Sequence, residues 1–145
     1  MRPLVAVVVL ALAGFATRAA DEPKDAAKKL EGTYEVVDVL VGGKPDAKKD
    51  EVKVFEIKDG EIIIKMENRN EVAKFTLDPS KKPAHIDLTA KNDMKVEGIY
   101  EVKETDKGLE LTIAFTRGGN GKGERPKDFK GQGEDDTVIK LLRKK

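Results

Sequence analysis

The chain has 145 residues, enough for one domain, with 28 basic and 27 acidic side chains and a formal net charge of +1. So even a balance argues against a general nucleic-acid or polybasic membrane binder, which would carry one-signed charge. With no cysteine, no tryptophan and one histidine, disulfides, thiolate metal sites and a cysteine nucleophile are excluded, and neither a cofactor nor a metal is expected.

The first nineteen residues differ in kind from the rest. Arg2 gives a positive start, Leu4 to Ala13 is an unbroken apolar run, and small residues follow around Thr17-Arg18-Ala19. This is the pattern of a secretory signal peptide, and the run is shorter than the roughly 20 residues a membrane span needs. Threonine at −3 and alanine at −1 place cleavage after Ala19. Residues 1–19 are therefore expected to be removed, and the mature protein to be secreted or periplasmic, without a transmembrane segment. Arg2 and Arg18 leave with the leader, so 26 basic and 27 acidic residues remain and the mature chain carries −1.

Residues 20–29 read as a flexible or short helical lead-in, with Asp21 as the candidate cap and Pro23 in the first turn. With only two alanines to offer an apolar face, a solvated lead-in is the expectation. From Leu30 to Lys145 the sequence turns to short alternating runs broken by turn residues, the signature of an all-β meander. Eight strands are predicted, at 32–41, 51–58, 61–67, 71–78, 84–90, 96–103, 109–116 and 137–144. In the seventh, Leu109, Leu111, Ile113 and Phe115 share one face. Ile62, Ile64 and Met66, then Ala73, Phe75 and Leu77, then Ala84, Ile86 and Leu88 make further inward rows. Asp59-Gly60 is a hairpin signal, because a type I′ turn needs positive φ at both centres. The first run slips phase: Tyr34 and Val36 share one parity, Val37, Val39 and Val41 the other. A β-bulge near Val36-Val37 would reconcile them and bend the strand.

Little in the chain reads as chemistry. Gly118-Gly119-Asn120-Gly121-Lys122-Gly123 lacks the Ser or Thr after Gly-Lys, and the following helix, that a phosphate loop requires. It reads as part of a long polar connection, 117–136. His85 alternates with Asp87 and Thr89 on the face opposite Ala84, Ile86 and Leu88, but Ser80, the one serine, sits in the Pro79-Ser80-Lys81 turn. A surface histidine is the better reading, and no catalytic residue is assigned.

Leu30-Glu31-Gly32-Thr33-Tyr34-Glu35-Val36-Val37 with Gly42-Gly43-Lys44-Pro45 forms one recognisable motif. Three more follow in order: 77–87, from Leu77-Asp78-Pro79 to His85-Ile86-Asp87; Gly98-Ile99-Tyr100-Glu101-Val102; and Glu124-Arg125-Pro126-Lys127-Asp128-Phe129. Together they resemble an uncharacterised lipocalin-like domain family of exported planctomycete proteins, over nearly all of residues 30–143. The resemblance implies a calycin-type, single antiparallel up-and-down barrel of about eight strands, with a β-sandwich as the alternative, and no particular reaction. The chain departs from that family at its opening Gly-x-Trp, here Gly32-Thr33-Tyr34, and in a seventh strand that is wholly aliphatic and aromatic inward. The resemblance further implies that Tyr34 covers one end of the core with Arg143 over it, Gly32 permitting the approach. Gly32, Tyr34 and Arg143 are thus the candidate closure residues. The function expected is a non-enzymatic binding module for a small, partly apolar ligand, at residues the sequence does not reveal. The alternative is a filled barrel acting through its loops on an envelope protein partner. N-terminal sequencing of the exported protein should begin at Ala20, and finding Met1 there would refute the leader assignment.

Overall fold

The computed structural model describes residues 22–117 and 123–145. The leader and the run 118–122 of the glycine-rich connection lie outside the described residues. One helix, α1 (Pro23–Leu30), precedes nine strands: β1 (Gly32–Val41), β2 (Lys44–Pro45), β3 (Val52–Lys58), β4 (Glu61–Met66), β5 (Asn70–Asp78), β6 (Ala84–Ala90), β7 (Lys95–Thr105), β8 (Gly108–Thr116) and β9 (Asp136–Lys144).

Each long strand pairs antiparallel with the next, and β1 also pairs with β9. That last pairing closes eight strands into a lipocalin-like up-and-down barrel and excludes the sandwich, because a closed sheet has no long open edge. The two-residue β2 is an extra strand beside the end of β1, with Leu40 opposite Pro45. Up-and-down order puts alternate connections at opposite ends. The β3–β4, β5–β6 and β7–β8 turns therefore share one end with the start of β1 and the end of β9. We call this the base.

At the β3–β4 turn, Asp59 has φ 51° and Gly60 φ 76°, so both centres take the positive φ that a type I′ hairpin needs. In β1 the register against β9 shifts between Val36 and Asp38. Val37 is the extra residue and is 50 % exposed. The shift lets Val36 stand opposite Leu141 and Val39 opposite Ile139, so both parities of β1 serve the same interior.

The interior is filled by side chains. Tyr34, Phe55, Ile57, Ile62, Phe75, Leu77, Ile86, Tyr100, Leu109, Leu111, Ile113 and Leu141 form one buried cluster, with Val36, Ile64, Leu88, Phe115 and Ile139 packed on it. A second, smaller cluster lies on the outer face, where Ile99, Ala114 and Val138 are buried beneath Leu40 and Phe129. Phe129 belongs to the connection between β8 and β9, whose described part thus straps the barrel wall. Arg125 anchors the strap: its guanidinium donates to the Gly98 carbonyl at 2.6 Å and to Asp87 at 2.7 Å. Asp87 and Glu97 stand directly opposite one another on β6 and β7, a repulsive pair by itself. Arg125 relieves it by lying 3.7 Å from Glu97 as well.

Of the two forms expected for the lead-in, the short helical one is found, exposed except along one narrow face. It is the helix α1, begun by Pro23 and placed with Asp25 in its first turn and Lys28 and Lys29 in its last, which complements the helix dipole. Ala26 and Leu30, four apart and so on one face, are buried. Eight residues are too few to hold a helix in water, so docking on the barrel stabilises it. The residue at the cap position is Glu22, whose side chain makes no capping bond; Asp21 lies outside the described residues. The alternating pattern could not reveal this helix, because its apolar face is two side chains wide.

The bulge makes a sharp test. Val37→Thr should leave stability within about 0.5 kcal/mol, the norm for an exposed site. Deleting Val37 should likewise keep cooperative unfolding in urea, because Val36, Val39 and Val41 then form one regular inward row. Deleting Val37 and Asp38 together should turn Val39 and Val41 outward and abolish it, since a one-residue slip exchanges the two faces of a strand.

Candidate functional site

The barrel base is built around the end of α1. A helix leaves its last carbonyls without intrahelical partners, and burying them unpaired is costly. Here the Tyr34 hydroxyl donates to the Leu30 carbonyl at 2.7 Å. Arg143 donates from Nη1 to the Lys29 carbonyl at 2.9 Å and also to that of Glu31. The Arg143 guanidinium lies 5.8 Å from the centre of the Tyr34 ring, within cation–π range. Tyr34 is 1 % exposed.

Gly32 is what lets the arginine in. Its φ is +144°, and a Cβ there would lie 2.5 Å from Arg143 Cδ. The structure therefore brings Gly32, Tyr34 and Arg143 together, and adds a partner that the sequence did not disclose, the C-terminus of α1. Burial pushes the Tyr34 phenol above its ordinary 10.0, with the nearby Arg143 charge and hydrogen bond pulling the other way.

Beside this latch is an open crevice of about 930 Å³, within the range of small-molecule sites. It runs between the C-terminal half of α1, the Pro79–Ala84 turn and the β7–β8 hairpin. Its apolar lining includes Leu30, Pro79, Pro83, Val102 and Leu109, and also Phe129, so the strap reaches the crevice as well. Val102 has the inward parity of Tyr100, yet is 42 % exposed, because β7 runs on past the rim of the barrel. Five basic side chains border the crevice, Lys28, Lys29, Lys81, Lys82 and Arg143, against two acidic ones, Glu101 and Glu104. Lys28 and Lys82 form no ion pair with a described residue.

His85 is half-buried, outside the crevice lining. Asp87, its neighbour on the strand face, is held by Arg125 instead. Asp78 stands opposite His85, but its carboxylate accepts from the Ser80 hydroxyl and amide. That bond and the adjacent Lys81 hold Asp78 below the usual carboxylate range. A serine that donates to a carboxylate, with no hydrogen bond to the imidazole, is not arranged as a base-activated nucleophile. Among the described residues no group of three or more His, Cys, Asp or Glu side chains is placed to hold a metal ion, and no helix is long and apolar enough to cross a membrane. A comparison with family models, with curated proteins and with solved structures finds no match to this chain.

Unfolding titrations of latch variants should separate its parts. Tyr34→Ala should lose about 3 kcal/mol, as for a buried aromatic, and Tyr34→Phe about 1–2 kcal/mol for the orphaned Leu30 carbonyl. Arg143→Ala should lose about 0.5–2 kcal/mol. The Tyr34→Ala/Arg143→Ala double variant should lose less than the sum, and strict additivity would mean that the two do not interact. The raised phenol pKa sets a sign as well: its contribution is complete below pH 10 and lost as pH rises through the folded-state value. Wild type should therefore weaken more steeply than Tyr34→Phe above pH 10.

Proposed function

We propose that this chain is an exported, non-enzymatic binding module that takes a small, partly apolar ligand in the crevice at the barrel base. The reading extends to kinship with the exported lipocalin-like domains whose motifs the sequence resembles, and to a secreted or periplasmic location. The observation that carries it is the crevice itself: about 930 Å³, lined by apolar side chains together with charged ones. An apolar floor with a few polar groups at its margin is the usual form of a small-ligand site.

The site lies outside the barrel, since the interior is occupied by a single packed cluster. An eight-strand barrel is just wide enough for its own side chains to fill. The same filled interior supports a second reading, in which the module works through its loops on an envelope protein. The strap fixed by Arg125 and Phe129 would then be the presented surface.

Native mass spectrometry of protein purified from its own host separates the two. One small molecule retained as added mass, and lost when Val102→Asp places charge on the crevice floor, is the expected result. Protein at the bare chain mass that co-purifies with an envelope partner would favour the loop surface instead. His85→Ala should leave the retained mass unchanged, and its loss would reopen the catalytic reading of that residue.

A further inference from the structure

We propose that the crevice beneath α1 selects a single-chain amphiphile with one negative charge, a long-chain carboxylate, lying with its tail along Pro79, Pro83, Val102 and Leu109. The inference rests on the reading of the crevice as a ligand site and adds the chemistry of its occupant.

Three observations point the same way. The first is local charge. The chain as a whole is almost neutral, yet basic side chains bordering the crevice outnumber acidic ones five to two. Lysine suits such a border, because its methylene stem covers apolar surface while the ammonium stays at the rim.

The second is the state of the helix end. The C-terminus of a helix carries partial negative charge that would repel an anion. Here that charge is already answered: Tyr34 holds the Leu30 carbonyl, and Arg143 holds those of Lys29 and Glu31. The excess positive charge of Lys28 and Lys82, which have no ion-pair partner among the described residues, is thus left to face the crevice.

The third is the pair Glu101 and Glu104 on the β7 side. They oppose dense negative charge, so a carboxylate is accommodated better than a phosphate dianion. An exposed apolar floor with a mixed, predominantly basic rim matches the two ends of a fatty acid.

Calorimetric titration of the purified protein with laurate, octanoate, dodecyltrimethylammonium and dodecyl phosphate tests this. Laurate should bind one to one. Octanoate should bind at least about tenfold more weakly, since a fully buried methylene is worth roughly fourfold in affinity. Dodecyltrimethylammonium and dodecyl phosphate should each fall below laurate by about tenfold or more, scaled by Coulomb terms at a partly exposed rim. Lys82→Glu should weaken laurate and strengthen dodecyltrimethylammonium; Lys28→Gln, a milder change on the other wall, should weaken laurate alone. Both positions are exposed, and unchanged melting would show that the fold is kept. If laurate and dodecyltrimethylammonium bind alike and Lys82→Glu changes neither, the charge selection is wrong while the apolar site stands. Tighter binding of dodecyl phosphate would overturn the carboxylate. If none of the four binds, the crevice is not a ligand site and both readings fall.

Discussion

The barrel depends on how one short helix ends. At the end of α1 the Leu30 carbonyl is buried and must find a donor or cost about 1–3 kcal/mol. Those of Lys29 and Glu31 lie at the exposed margin beside it, and all three find side-chain donors. Tyr34 and Arg143 supply those donors from the first and last barrel strands, the two that must meet for the sheet to close. One cluster thus joins the helix to the barrel and sits at the seam where the barrel closes. Its components constrain each other. The ring must be an aromatic with a donor, the residue two before it must lack a side chain, and the arginine must come from the strand paired across the seam. A surface pair on the same seam, Lys144 with Glu35 at 2.9 Å, is exposed on both sides and adds little by comparison.

That arrangement also decides where the crevice lies. A helix docked across the base, above a core already filled, leaves no lumen to occupy. It creates instead a re-entrant angle between helix and barrel wall. The β7–β8 hairpin deepens this angle by running past the rim, which is why Val102 keeps an inward parity and yet meets solvent. The strap on the outer wall follows the same economy. A highly charged chain has few apolar groups to spare, so Phe129 and Arg125 are joined in holding its described part by backbone contacts, among them Arg117 N–H to the Asp135 carbonyl. Arg125 does so where a glutamate and an aspartate already face each other.

Much of the fold was legible in sequence. Period-two alternation located all eight barrel strands to within two residues at either end, since an inward row must be apolar at every second position. Asp59-Gly60 and the phase slip at Val36-Val37 were readable for the same local reason: each is a backbone geometry that only certain residues or registers allow. The helix was legible only as one of two options for residues 20–29, because Ala26 and Leu30 make a stripe too narrow to signal itself, and its stability comes from the surface it lands on.

The sequence by itself determined that the chain is all-β, how its strands alternate and turn, and that it lacks the residues for a thiolate or polyhistidine centre. Closure of β1 on β9 needed the tertiary structure, as it joins residues about a hundred positions apart and has no local signal. So did the crevice. Lys28, Lys82 and Val102 come from a helix, a turn and a strand end that are unremarkable one at a time. What makes them a charged rim and an apolar floor is that three segments distant in sequence converge at one end of a closed barrel, and charge and burial act through space, not along the chain.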